Sequence, residues 1–233
     1  MTNGRSAGIR PMRSASIEDY IKTIYRLETD HERATTQRIA QQLGVRMASV
    51  TGMIKHLAAE GYLKHKPYYG VKLTDKGRRV ALVMIRRHRL IELFLHRTLG
   101  LDWDEVHDDA EVLEHAVSDR LVERIFAFLG QPEFDPHGAP IPGVDGSFEP
   151  LQGRALSSCP AGVSGRILHV SDTDPEFLRY LTSLGLKISS RFRVLSKAPF
   201  EGPITLWVDR KEVLIGQEAA RRILVAADSA AEK

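Results

Sequence analysis

The stretch TTQRIAQQLGVRMASVTGMIKHLAAEGYL, Thr35 to Leu63, decides the fold of the first part of the chain. Thr35 or Thr36 supplies the oxygen that caps a short helix. Gly44 is the residue type that permits the left-handed backbone at its end. A second helix starts after Val45, turns Val50, Ile54 and Leu57 inward, and closes at Gly61. Helix, tight turn and helix form a helix-turn-helix, whose second helix enters the major groove of DNA. Its outward side chains Arg46, Ser49, Thr51 and Lys55 are of the kinds that reach base edges and phosphates.

Working outward, SIEDYIKTIYRLE (Ser16–Glu28) predicts a preceding helix capped by Ser16, with Asp19 at its third position and Ile17, Ile21, Ile24 and Leu27 at helical spacing. Downstream, YLKHKPYYGVKLTDKGR alternates apolar and polar residues around Tyr68, Tyr69 and Gly70, predicting a two-stranded wing. The assembly is a winged helix over 16–79, with Thr35, Thr36 and Lys66 placed to hold the phosphate backbone. A protein-binding winged helix is the competing reading. Charge favours double-stranded DNA: residues 1–79 hold 15 Lys/Arg against 7 Asp/Glu. Residues 1–15 are expected to be a disordered basic arm.

The next block reverses the charge, with 6 Lys/Arg against 14 Asp/Glu over residues 80–150. RRVALVMIRRHRLIELFLHRTLG predicts a long helix with His88 and Glu92 one turn apart. LDWDEVHDDAEVLEHAVSDRLVERIFAFLG predicts one further helix, broken near Asp108, on which Glu111, Glu114 and His115 share a face at i, i+3 and i+4. Two carboxylates stacked this way repel by a few tenths of a kcal/mol. A divalent cation would turn that repulsion into shared coordination, and oxygen with imidazole donors suits Mn2+ or Fe2+. Val112, Leu113, Ala116, Val117, Leu121, Ile125, Phe126 and Phe128 make an apolar face wider than one helix needs, which predicts a homodimer interface.

Residues 143–160 are rich in Pro and Gly and read as a linker. Over 161–233, VSGRILHVSD, RFRVLSKAPF, GPITLWVDR and KEVLIGQEAARRILV predict short strands. DPEFLRYLTSLGL between them predicts a helix capped by Asp174 with Pro175 at its first position. A small β-barrel fits this pattern, so the fold class is mainly α with a small β domain. His169 and Trp207 carry no assignable chemistry.

Taken together, EDYIKTIYRL, RHRLIELFL, VHDDAEVLEHAVSD and FDPHGAPIPG, in this order, resemble the diphtheria toxin repressor family of metal-dependent regulators, and within it the manganese-responsive branch. The resemblance covers nearly the whole chain. It implies a winged-helix domain, a helical metal-binding and dimerisation domain over 80–142, an SH3-like C-terminal domain, and operator binding promoted by metal. It implies a primary metal site of Asp19, His88, Glu111, Glu114 and His115 and an ancillary site of Glu92 and His107, with the allegiance of His88 open. The iron branch has Cys at the Glu111 position and Met at the Asp19 position, so the carboxylates here imply Mn2+, with Fe2+ the alternative. Lys22 stands where that branch often has a Glu ligand, which argues against a second ion in the primary site. A carboxylate from the C-terminal domain (Asp172, Asp174 or Glu176) is implied as a further ancillary ligand, although capping explains Asp174 equally well.

The expected function is therefore a metal-activated transcription regulator binding a palindromic operator and repressing metal-uptake genes. A winged-helix sensor of an organic ligand and a metallohydrolase are the alternatives. No HExxH, GxSxG or P-loop pattern supports an enzyme. A single Cys159 suits the cytoplasm. No apolar run reaches the roughly 18–20 residues that span a bilayer.

Overall fold

The computed structural model describes residues 15–29, 32–66, 70–147 and 149–228. The expected basic arm falls almost wholly on residues outside these, as do Tyr68 and Tyr69, and the Lys66 side chain is also outside the described part. The chain divides into two compact units, residues 1–85 with 144–146, and 86–143 with 147–233.

The first unit is the winged helix. Its helices are α1 (Ala15–Thr29), α2 (Thr36–Leu43) and α3 (Met47–Ala59), and its wing is β1 (Leu63–Lys66) paired antiparallel with β2 (Gly70–Leu73). Ser16 lies inside α1 rather than capping it; helix ends commonly shift by a residue or two. Thr35 is the cap of α2, its hydroxyl accepting from the Arg38 amide at 3.2 Å, and Gly44 adopts φ 63°. Ile21, Ile24, Leu27, Ile39, Val50 and Leu57 are fully buried in one core with Leu63, Val71 and Leu73 of the wing. That core fixes which face of α3 is left outward.

The long helix α4 (Asp75–Phe94) follows the wing and runs on into a π-helical turn at Leu95–Leu99. In the second unit the expected single helix is two, α5 (Val106–Leu113) and α6 (Asp119–Phe128). The break lies after Leu113, not near Asp108. Its cause is Ser118, whose hydroxyl accepts from the Leu121 amide at 3.3 Å and starts α6 afresh. Glu114 therefore sits at the end of α5 and His115 in the turn beyond it. Of the apolar face read from the sequence, Val112 (72% exposed), Leu113, Leu121 and Phe128 (68%) are exposed, with Phe128 edge-on to Phe94. Ile125, in contrast, is buried, and Val117 and Phe126 pack against the core of this unit. The residues of that face are divided between α5, α6 and the turn joining them.

The C-terminal part is a six-stranded antiparallel sheet of β3 (Arg154–Ala155), β4 (Ser164–Val170), β5 (Arg191–Lys197), β6 (Ile204–Val208), β7 (Lys211–Ile215) and β8 (Ile223–Ala227). The spatial order is β3-β8-β4-β5-β6-β7, an SH3-like arrangement. Helix α7 (Pro175–Ser183) covers its core, capped as expected by Asp174. Within KEVLIGQEAARRILV, read from the sequence as short strands, a helix α8 (Gln217–Arg221) separates β7 from β8. The stretch read as linker supplies β3 and two fully buried side chains, Leu156 and Cys159, to the core of this domain.

Candidate metal centre and nucleic-acid interface

Helix α4 places His88 and Glu92 one turn apart on a face that both α5 and the 134–142 loop approach. All four ligand-capable groups of α4 and α5 named by the sequence converge here. His88 Nε2 lies 2.9 Å from Glu92 Oε1 and 3.2 Å from His107 Nδ1, and that nitrogen is 3.1 Å from the same Glu92 oxygen. On its other side His88 Nδ1 meets Glu114 Oε2 at 2.6 Å and Glu111 Oε1 at 3.8 Å. His115 Nε2 is 3.6 Å from Glu114 Oε1. Two sets emerge, His88 with Glu92 and His107, and His88 with Glu111 and Glu114, each with ligand atoms all within 4.8 Å of one another. His88 belongs to both, which is the physical form of its open allegiance.

A third set was not read from the sequence. Asp135 and His137, in the loop after α6, join Glu92 and Asp172 in a group whose ligand atoms are equally close. Asp135 Oδ1 accepts from the amides of His137 (2.8 Å) and Ala139 (2.9 Å), which folds the loop into a tight turn. Gly138, at φ 84°, lets that turn press onto β4, since a Cβ there would lie 1.9 Å from the Leu168 carbonyl oxygen. His137 Nε2 donates to the Trp103 carbonyl at 2.7 Å. Within this set, three atoms are buried with no hydrogen bond among the described residues: Glu92 Oε2, Asp135 Oδ2 and His137 Nδ1. Buried polar atoms left this way are costly and call for an explanation. Here Glu92 Oε2 and His137 Nδ1 face each other at 3.7 Å, and Arg89 Nε reaches Asp135 Oδ2 only to 3.5 Å. The donor set fits a divalent cation of the Mn2+ or Fe2+ type, being carboxylate and imidazole without thiolate. The sole cysteine, Cys159, is in the C-terminal core instead. The signal available in the sequence was the Asp-x-His spacing next to Gly138, masked by its Pro/Gly-rich surroundings.

The electrostatics are those of a cation site. Burial alone would lower His88, but Glu92 and Glu114 beside it bring it up to about 9. Burial likewise opposes His137, and Glu92, Asp135 and Asp172 raise it to about 9. Burial would raise Glu92, yet His88, His107 and His137 hold it well below the usual carboxylate range. Asp135 is pushed up to about 7 by burial and by the neighbouring Glu92 charge. Protons on the imidazoles take the place a cation would fill.

The other sequence candidates lie as follows. Asp19 is half-buried on α1, and Lys22 is buried on the same helix. Asp174 Oδ1 accepts from the Phe177 amide and Asp174 Oδ2 from Arg222 at 2.9 Å, while Glu176 is exposed; Asp172 is the carboxylate of this segment that stands among ligand-capable groups. In the winged helix Arg46, Ser49, Thr51 and Lys55 are all exposed, and Thr51 also donates back to the Met47 carbonyl. Thr35 and Thr36 are half-buried at the start of α2.

A DNA-reading head and a helical cluster of imidazoles and carboxylates in one chain define a metal-dependent DNA-binding transcriptional repressor. Residues 12–71 match the iron dependent repressor N-terminal DNA binding domain, residues 74–143 the iron dependent repressor metal binding and dimerisation domain, and residues 154–227 the FeoA domain. The chain is 30% identical over 190 residues to a diphtheria toxin repressor of Corynebacterium efficiens, covering 77% of this chain and 83% of that one. It is 39% identical over 114 residues to the regulator MntR of Bacillus pumilus, covering 49% and 78%. A solved manganese-dependent transcriptional repressor in complex with manganese superposes with a TM-score of 0.84 at 45% identity, covering 91% of this chain and 99% of that one. The protein belongs to the diphtheria toxin repressor family, in its manganese-responsive branch with a C-terminal FeoA domain. Among the described residues no helix is long and apolar enough to cross a membrane.

Proposed function

We propose that this repressor is activated by Mn2+, binds a palindromic operator as a homodimer in the cytoplasm, and represses metal-uptake genes. The observation that carries the metal reading is the set of orphaned buried atoms Glu92 Oε2, Asp135 Oδ2 and His137 Nδ1, next to the His88 cluster. Hard and borderline donors favour Mn2+ over softer ions, and the similar solved repressor is described with manganese. His88, Glu111, Glu114 and His115, with Asp19, are proposed as one site, and Glu92, Asp135, His137 and Asp172, with His107 beside them, as the other. Bound there, a cation would supply a charge in place of the imidazole protons, and these carboxylates and imidazoles would hold it.

On the DNA side, Arg46 and Lys55 reach phosphates or guanine edges, Ser49 and Thr51 reach base edges, and Thr35, Thr36 and Lys66 steady the backbone. Exposed Met47, at the start of α3, adds an apolar group suited to a thymine methyl. Metal acts by linkage, binding the DNA-competent arrangement more tightly than the other.

The test is fluorescence anisotropy on duplexes selected from random sequence, with metal-stripped protein and each of Mn2+, Fe2+ and Zn2+ added back. Mn2+ is expected to tighten binding most at the free concentrations where it saturates the protein. Equal affinity with and without metal overturns the proposal, and a larger response to Fe2+ assigns the chain to iron.

A further inference from the structure

The outward face of the C-terminal sheet carries a cluster of positive charge that no part of the metal site uses. In the register of the sheet, Arg166 of β4 lies directly opposite Arg191 of β5, and Arg193, two residues on, lies opposite Trp207 of β6. Residues two apart on a strand share a face, so these four side chains stand together on one surface. All four are exposed, while their strand neighbours Gly165, Ile167, Phe192, Val194, Leu206 and Val208 are buried. None of the three arginines has an ion pair among the described residues. The acidic side chains that share the face are Glu212 of β7, opposite Trp207, and Asp228 just past β8, whose amide donates to the Ser164 carbonyl. Among the described residues neither forms an ion pair with the three arginines.

Two guanidinium groups set directly across from each other destabilise a sheet unless something anionic lies over them. Three of them, with an aromatic ring interleaved, make the pattern that tracks a phosphodiester backbone. We propose that this face, built on Arg166, Arg191, Arg193 and Trp207, is a second DNA-binding surface that holds duplex phosphates in its own right, beside the winged helix of the other unit. Arginine suits phosphate because its planar fork offers paired donors, and the Trp207 indole offers one N–H and a flat apolar face for deoxyribose. Contact is to backbone only, so it adds affinity without sequence preference. It rests on the DNA-binding reading above and extends that reading to the C-terminal domain.

The experiment measures binding of the full Mn2+-loaded chain to a long random-sequence duplex as salt is raised. Each phosphate contact contributes about 0.9 to the slope of log K against log salt, so R166Q/R191Q/R193Q is expected to flatten the slope by about 3 per chain. E212K, which adds a positive charge to the same face, is expected to steepen it by about 1 per chain. This second variant keeps the test informative if the triple variant folds poorly, as judged by unfolding midpoint and metal uptake. R46Q/K55Q, in the winged helix, supplies the separate arm. Flattening by R46Q/K55Q with no change from either sheet variant overturns the second surface and leaves the winged-helix reading intact. No change from any variant overturns both. Binding of the sheet face to polyglutamate, with an unchanged DNA slope, assigns it to an acidic protein and likewise overturns the proposal.

Discussion

His137 gives its Nε2 proton to the carbonyl oxygen of Trp103 at 2.7 Å, while its ring stacks on the Trp103 indole with centroids 6.0 Å apart. A carbonyl can only accept, so the tautomer is fixed and Nδ1 is the nitrogen left for a cation, facing Glu92, Asp135 and Asp172. The indole N–H in turn donates to the Thr182 hydroxyl on α7 at 2.9 Å. One loop residue thus ties the orientation of a ligand to the docking of the C-terminal domain on the helices of the same unit.

Removing the ligand rather than its support is the direct check. His137→Ala is expected to reduce bound Mn2+ by one ion per chain and to leave the His88, Glu111 and Glu114 set able to bind. Asp172→Asn, which alters a proposed ligand, should weaken the same ion by at least the roughly 10- to 100-fold lost when a group supporting a ligand is removed. Inductively coupled plasma mass spectrometry after dialysis, with calorimetric titration, reads both. Full stoichiometry in His137→Ala would remove this group from the metal centre.

Metal uptake should release protons near neutral pH. His88 and His137 sit at about 9 in the folded, metal-free chain, above the ordinary imidazole value of 6.5. A cation must displace protons from both, so its apparent affinity rises as pH rises towards 9. The same shifts set the stability of the metal-free protein. A raised folded value means their contribution is complete below about 6.5 and fades as pH climbs through about 9. Urea midpoints should therefore fall over that window without metal and fall less with Mn2+ bound. Titration in two buffers of different ionisation enthalpy counts the protons; an equal heat in both would contradict the scheme.

Glu92 is the hub of this charge balance, fully buried and facing His88, His107 and His137. Glu92→Ala leaves those imidazoles without their shared counter-charge, and breaking a buried pair from one side costs about 3–5 kcal/mol. The metal-free variant should unfold at lower urea by roughly that amount, with the imidazole titrations of His88 and His137 moved down in NMR spectra. Mn2+ should rescue it poorly, since the variant lacks a ligand as well as a charge.

The winged helix was legible because its information is local: Gly44 for the turn, Thr35 for the cap, and the buried period of Val50, Ile54 and Leu57 all sit within one short stretch. The carboxylates and imidazoles of α4 and α5 were legible as types, since acids stacked at helical spacing need a cause. Asp135 and His137 were not, because their partners Glu92 and Asp172 are distant in sequence and only the Gly138 approach to β4 brings the loop in. The end of α5 was missed for a related reason. Apolar residues keep helical spacing across Ser118, and only the hydroxyl's bond to the Leu121 amide shows that a new helix begins there. The outward row of arginines was invisible until strand register put Arg166 beside Arg191.

The exposed face formed by Val112, Leu121 and Phe128 tests the homodimer. Phe128→Glu places a charge where the partner copy is expected and should shift the species in sedimentation velocity to monomer at micromolar concentration. Metal binding within the unit should survive, because Phe128 is exposed and its ring packs edge-on to Phe94, which offers no ligand atom. Operator affinity should fall steeply, since a palindrome is held by two heads at once.

Asp19 separates metal binding from its consequence. It lies on α1 in the DNA-binding unit, whereas Glu111, Glu114, His115 and His88 lie in the other. As the proposed ligand that links the two, Asp19→Ala should lower the response of DNA binding to Mn2+ by an order of magnitude or more while the dimer persists. The set around Glu92, Asp135 and His137 should still fill, which distinguishes loss of coupling from loss of the metal. Anisotropy titrations of the variant with Mn2+, run beside metal stoichiometry and sedimentation, give all three readouts. An Mn2+ response equal to that of the wild type would take Asp19 out of the scheme and require the signal to reach α3 by another route.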